Sequence, residues 1–498
     1  MSWTGFPADI RRKILGIVLE APKTFTYSAV CREWQAVFEK KHFERLVLSR
    51  DDLLYFAAIV YGPRARLVKH IVLRVVLDTY TYTTGRMPEN GQVCWNNYLF
   101  TSTIKHLFIA LGAWERPRGS NREGLTFELC VCSLSEPRQI PAGLNLPYLK
   151  PRENFHNPYA PSYIDSRFRD GTYTLSENFQ DSAPGLGHAI TSLGDSWFEP
   201  WWVDLPVEVD VITTFLVRRE HYRRINTLGL GKILKSLVGL RQVIYEHGED
   251  AFYHPQLGEN PDYRKTFEHS LPRTLKSLVL FENQDLPEKD QRTYPIFTIA
   301  RSREECLRFG SALEKASRSL EHLSVSFVVD ALDFFNPFRS AGPNSALWVR
   351  HELQTISLTS TFLDPNPPGL TGGIQGLDNL ILLASFAAKS MPNLQVMEIW
   401  NGTGDEHGCI FRYCYEETAA TITWHSTWDF KLADRVIQSW SQTTHRRNPN
   451  IELNIVYIRL VTDGIAFPAS VLRHLKLKDR VLHPTSYRQL QLIGEPGS

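Results

Sequence analysis

Apolar positions along the chain follow two periods. Near the start, Ile10, Ile14, Ile17 and Val18 recur at helical spacing, and Val30, Trp34, Val37 and Phe38 repeat the pattern. Pro7 stands where the first helix begins, because an N1 residue needs no N–H. Asp9 falls in the same turn, where negative charge suits the positive end of the helix dipole. Pro22-Lys23-Thr24 reads as the turn between the two helices. A third helix is expected over 51–62, buried through Leu53, Leu54, Phe56, Ala57 and Val60 and ended by Gly62-Pro63.

From Val68 the period changes. Val68, Ile71 and Leu73 have the spacing V-x-x-I-x-L, and triplets of this kind begin again at Leu240, Leu275, Leu320, Leu353 and Leu394. A strand alternates its faces, so the last two members of each triplet point the same way. Helical stretches precede several copies: Ile233–Val238, Leu307–Leu320 and Leu382–Ala387. Helix, short turn, then L-x-x-L-x-L is the unit of a leucine-rich horseshoe. The starts from Leu240 onward lie 35, 45, 33 and 41 residues apart, longer and less regular than the ~20–29 of true leucine-rich repeats. An irregular βα solenoid with a parallel sheet is expected, since one unit alone cannot bury its face. Unrelated βα units sharing an apolar pattern are the alternative.

One strand is expected over 125–131. After it, about 135–206 is rich in Pro, Tyr, Asn, Gly and Asp, has no sustained period and reads as a long insertion. It ends in the aromatic cluster Trp197, Phe198, Trp201 and Trp202. Such a cluster is either a plug pinning the insertion or a recognition platform; in the second case Trp197, Trp201 and Trp202 are the substrate-binding candidates. Residues 401–498 change character. Ile410–Tyr415 and Ala420–Trp428 read as paired strands, Leu432–Thr443 as an amphipathic helix, Ile451–Leu460 as a strand, and Val471–Val481 as a last basic helix stopped at His483-Pro484. This α/β unit is expected to cap the open end of the solenoid.

The N-terminal helices carry more apolar surface than fifty residues can bury alone. They are either a lid on the rest of the chain or a module that buries its remaining face on a partner. The run Phe6-Pro7-Ala8-Asp9-Ile10, then Ile14-Leu15, then Val30-Cys31-Arg32-Glu33-Trp34, then Phe43-Glu44-Arg45-Leu46 resembles an F-box, with Phe6 where Leu is usual. The resemblance implies an all-helical F-box over 1–50 that docks a Skp-type adaptor through Phe6, Pro7, Ile10, Ile14, Leu15, Val30 and Trp34. It implies membership of a cullin ubiquitin ligase, with the solenoid over 51–400 capturing an unknown substrate protein. Leu67–Ile71, Gly124–Leu129 and Thr421–Trp424 make most of the chain similar to fungal F-box proteins with a leucine-rich-like C-terminal region. A scaffold acting outside any ligase is the alternative function.

Composition narrows this picture. A net charge of +1 with 22% charged residues gives no chain-wide field for nucleic acid or an anionic membrane. Apolar runs of about nine residues near Leu53–Tyr61 and Leu380–Ala388 fall short of the ~20 a bilayer needs. No secretory leader is expected at the N-terminus, and seven cysteines make no disulfide framework. A reducing compartment follows, cytoplasm or nucleus.

Chemistry-bearing motifs are lacking. Cys130 and Cys132, Cys409 and Cys414 with His407, and the His247/His254 cluster have no metal-ligand spacing. Gly229-Leu230-Gly231-Lys232 lacks the other glycines and the hydroxyl of a phosphate loop. No enzyme, metal or cofactor is expected; the catalytic contribution would be proximity.

Overall fold

The computed structural model describes residues 3–20, 24–77, 90–114, 124–133, 207–218, 225, 227–247, 263–282, 303–339, 351–365, 373–402, 407–461 and 468–493. The chain begins with helices α1 (Ala8–Leu19) and α2 (Arg32–Glu44), joined by a 3-10 turn at Thr24–Ala29. It runs from α2 directly into strand β1 (Arg45–Ser49). Helix α3 (Leu53–Ile59) precedes β2 (His70–Leu77), and α4 (Asn90–Gly112) precedes β3 (Leu125–Ser133). Then come β4 (Ile212–Val217), α5 (Thr227–Ser236), β5 (Gln242–His247), α6 (Tyr263–His269) and β6 (Ser277–Glu282). Helix α7 (Arg303–Ser317), β7 (His322–Asp330), α8 (Ala331–Phe335) and β8 (Thr355–Thr359) follow.

Helix α9 (Gly373–Lys389) leads to β9 (Val396–Gly402), β10 (Gly408–Tyr415) and β11 (Ala420–Ser426). Helix α10 (Asp434–Arg447) and β12 (Leu453–Arg459) end the sheet. Three helices finish the chain: α11 (Pro468–Leu472), α12 (Lys478–Val481) and α13 (Pro484–Ile493).

The twelve strands form one sheet in sequence order, β1 to β12. Every neighbouring pair is parallel except the two made by β10, which runs antiparallel to β9 and β11. The reversal is possible because only five residues separate β9 from β10 and four separate β10 from β11, short enough for antiparallel neighbours. The fold is thus mixed α/β with a long, mostly parallel sheet. The sheet is not closed. Strand β12 is an edge, so the last hundred residues do not cap it as the sequence suggests; their three terminal helices lie elsewhere.

The triplets explain the core. Ile71, Val243, Leu278, Leu323, Ile356 and Met397, their second members, stand side by side in register in the sheet, joined by Phe127 and Phe215. The third members Leu73, Tyr245, Leu280, Val325, Leu358 and Ile399 make the next row, and all these side chains are buried. Helices pack over this face, and Trp440 of α10 closes on Phe411 and Tyr413 with ring centroids 5.4 and 4.6 Å apart.

The opposite face holds a second, smaller core. Phe281, Phe327, Val396, Trp400 and Ile410 of the strands meet Val471, Leu472, Leu475, Leu477, Val481 and Leu482 of the C-terminal segment. A bulge between Val325 and Asp330 breaks the register of β7 with β8 and puts Phe327 at φ 63°. That region is costly for a bulky aromatic residue. It is held by the Phe327 N–H donating to Thr359 Oγ1 at 2.7 Å and by edge contacts of its ring with Phe281 and Trp400.

The expected final helix over Val471–Val481 is instead α11 and α12 with a turn between them. Pro484 starts a helix rather than stopping one, as its missing N–H allows at N1. Strand β1 also lies inside the stretch expected to be all helical, so residue 50 is not a boundary of the helical part.

Candidate functional site

Two places gather side chains that the packing of the core does not explain. The first is the N-terminal helical pair. Leu15, 3% exposed, is its interior. Trp34 is half-buried in an aromatic knot, stacked on Phe38 at 5.6 Å and met edge-on by Trp3 at 5.2 Å and by Tyr27 at 6.0 Å. Phe6 packs at the border of this knot, 6.5 Å from Trp3. Glu33 ties the helices together: it accepts from Trp3 Nε1 at 2.8 Å and from Arg11 Nε at 3.2 Å. Leu15 and Trp34, both in the sequence motif, therefore hold the module together. Ile14 is half-buried, whereas Pro7, Ile10, Ile17 and Val30 lie on the surface. Ile17 is 74% and Val30 59% exposed, which leaves an apolar face with no covering element among the described residues.

The module is fastened to the sheet. Glu39 accepts from Arg64 at 2.8 Å, ahead of β2. Burial pushes the Glu39 carboxyl up, but hydrogen bonds from Arg64 and Gln35 and the Arg64 charge outweigh it and hold the pKa below the usual range. Lys69 donates its backbone N–H to Glu44 at 2.9 Å. The N-terminal helices are thus an extension of the sheet's first edge.

The second place is the face of the sheet away from the long helices. Two strand carboxylates there, Glu246 and Glu398, are fully buried, a costly state without partners. The C-terminal segment supplies them. Glu398 accepts from the backbone N–H groups of Lys476 and Leu477 at 2.8 and 2.9 Å and from Arg412 Nε at 2.6 Å. Glu246 accepts from the His483 N–H and the Ser486 hydroxyl. Beside them Glu128 lies between His70 Nε2, 2.9 Å away, and the Arg218 guanidinium. Burial pushes the Glu128 pKa up, but His70 and Arg218 overcome it and hold it at about 2. His483 is lowered to about 4 by burial and by Arg218, and His425 to about 4 by burial and by Arg412.

Between this segment and strands β5 to β7 is a cleft of about 280 Å³, walled by Gln242, Ser277, His322, Asp479, Arg480 and His483. The sequence points neither to the segment that covers part of this face nor to these residues. They carry no motif: they sit on three strands, one helix and the link after it, up to 241 positions apart, from Gln242 to His483.

Trp197, Trp201 and Trp202, with the rest of the insertion at 135–206, lie outside the described residues. Among the described residues no three His, Cys, Asp or Glu side chains are grouped to hold a metal ion, and no helix is long and apolar enough to cross a membrane. The model of a family of unknown function (DUF6546) matches residues 270–483. That span starts before β6 and ends at His483, so it contains most of the cleft walls and leaves out the N-terminal helices. No curated protein matches the chain.

Proposed function

We propose that the chain is the substrate-recognition subunit of a Skp–cullin–F-box ubiquitin ligase, and that its sheet and helices are an irregular solenoid that captures the substrate. The observation that carries this reading is the apolar surface of Pro7, Ile10, Ile17 and Val30 on a helical pair with the F-box sequence pattern. An adaptor helix or groove of matching apolar chemistry would cover it. The role is non-catalytic: the subunit holds a protein near the conjugating enzyme and raises its effective concentration.

The test is capture of a Skp-type adaptor and a cullin by the full chain. Ile10→Asp and Val30→Asp put charges on surface positions and leave the interior intact. Each is expected to weaken adaptor binding by about 2 kcal/mol or more, the range of an interface centre, with unchanged melting. Wild-type protein that captures no adaptor overturns the reading. Capture of adaptor without cullin would instead mark a scaffold outside the ligase.

A further inference from the structure

Strand β12 is the last of the sheet, and its outer side has no strand beside it among the described residues. Leu460, just past its end, donates its backbone N–H to Ser426 of β11 at 2.9 Å, which fixes the phase of the strand. Main-chain groups of successive residues point to opposite sides of a strand, so Asn454, Val456 and Ile458 turn theirs towards β11. Leu453, Ile455, Tyr457 and Arg459 turn theirs outward. The side chains along this row are apolar: Val456, Tyr457 and Ile458 are 40%, 44% and 42% exposed, and Val461 beyond them 70%. Natural edges are blunted by Lys, Pro or a bulge. Leu453–Arg459 has neither residue and pairs with β11 in unbroken register.

Another strand would complete such an edge, and two observations select a second copy of this chain. The first is charge. Glu452 precedes the strand and Arg459 ends it, both exposed. A two-fold axis perpendicular to the sheet makes two copies of β12 antiparallel and brings Glu452 of each to the Arg459 end of the other. Parallel addition would set like charge against like. Arg459 spends Nη1 on the exposed Asp429, and a guanidinium has further donors.

The second is self-complementarity. Full overlap of Leu453–Arg459 with itself puts Val456 on the axis, facing Val456 of the second copy. Ile455 then lies opposite Tyr457, and Leu453 opposite Arg459. These are the residues whose N–H and C=O point outward, so they exchange main-chain hydrogen bonds, and an aromatic residue across from a β-branched one is a favourable pair. The other edge offers no alternative. Leu46, Val47 and Leu48 of β1 are all buried, so a head-to-tail stack, which would not close, finds no exposed row to meet.

We propose that the protein forms a two-fold dimer by antiparallel pairing of β12, which joins two sheets into one. The contact is one strand wide, less than the ~800 Å² per partner of a standard interface, so the dimer dissociates on dilution and forms where the protein is concentrated. It uses neither the N-terminal helices nor the cleft, so it stands or falls apart from adaptor docking.

Sedimentation velocity on the full chain, from micromolar to near-millimolar concentration, tests it. Wild type should pass from monomer to dimer with no larger species. Glu452→Arg and Arg459→Glu each put like charges at both ends of the contact and should weaken association tenfold or more. The double variant Glu452→Arg/Arg459→Glu should restore it. An equimolar mixture of the two single variants should also associate, because their strand ends complement only each other. Both positions are on the surface, and unchanged melting of each variant excludes misfolding as the cause. The proposal is overturned if wild type stays monomeric at near-millimolar concentration, which would leave the edge to an extended segment of another protein. Growth beyond dimers, association of either single variant as strong as wild type, or no recovery in the double variant and the mixture would overturn it equally.

Discussion

At one edge of the sheet, β1 is covered on one face, with Leu46 and Leu48 0% and 1% exposed. At the other, β12 leaves Val456, Tyr457 and Ile458 exposed by 40%, 44% and 42%. Both strands are short and apolar and follow a helix. The difference lies in where the neighbouring chain goes. After β1 it folds back over the sheet as α3, whose Leu53 and Phe56 share a core with Leu46 and Leu48; after β12 the described chain lies on the other face, against Trp400 and Phe281. An edge without Lys or Pro that stays open is a template for another strand. Apolar sequence at the end of a repeating sheet thus need not become a cap: here the fully buried Glu246 and Glu398 draw it to the face.

The largest expected effect separates the two edges directly. Leu48→Ala should cost about 2–5 kcal/mol, as large-to-small changes in a packed core do. Ile458→Ala, on the open strand, should cost about 0.5 kcal/mol or less. Urea unfolding of both variants measures this, and equal losses would mean that β12 is covered in solution.

Acid should divide the molecule next. His425 and His483 titrate at about 4 when folded, below the ordinary 6.5. The unfolded chain therefore binds more protons between those values, so stability is full above about 6.5 and falls as pH drops towards 4. Glu128, lowered to about 2 from 4.5, gives stability that is present above about 4.5 and is lost only as pH falls through 2. Amide exchange at pH 5 should show α11 to α13 opening while β2 and β3 stay protected. His483→Gln should flatten the pH dependence between 4 and 6.5; uniform loss of protection would contradict this division.

The smallest effect is at the open edge itself. Val456→Lys should change stability by about 0.5 kcal/mol or less yet reduce self-association of concentrated protein, read by light scattering. Unchanged scattering would show that the edge is not used for pairing.

Much of this architecture is legible in the sequence, because it is written in local period. Each L-x-x-L-x-L triplet puts its last two residues in the buried rows, and the hairpin β10–β11 and helix α10 lie where alternating aromatics and Trp440 indicate. Helix α4 has no counterpart among the elements expected from the sequence, although Leu99, Phe100, Ile104, Leu107, Phe108 and Leu111 are buried at helical spacing. Strand β1 was hidden by Phe43–Leu46, whose motif reads as helix. The C-terminal segment is illegible for a deeper reason. Leu472, Leu475, Leu477 and Val481 fit one helix or two, and only partners hundreds of residues away decide. Of the F-box pattern, the structure turns Leu15 inward and Ile10 and Val30 outward, a distinction that a motif does not carry. The cleft residues had no signal, since their common property is a place.

The two buried carboxylates also set a clock on synthesis. Glu246 and the Ser486 hydroxyl that satisfies it are 240 residues apart. At about 5–20 residues per second on the ribosome, roughly 12–48 s pass between them. During that interval strands β5 to β9 can pair and bury one face, while the other stays wet, its charges served by water. The last residues to emerge complete a face begun in the middle of translation, so a chain cut short before Lys476 would leave an unfinished surface for chaperones to hold.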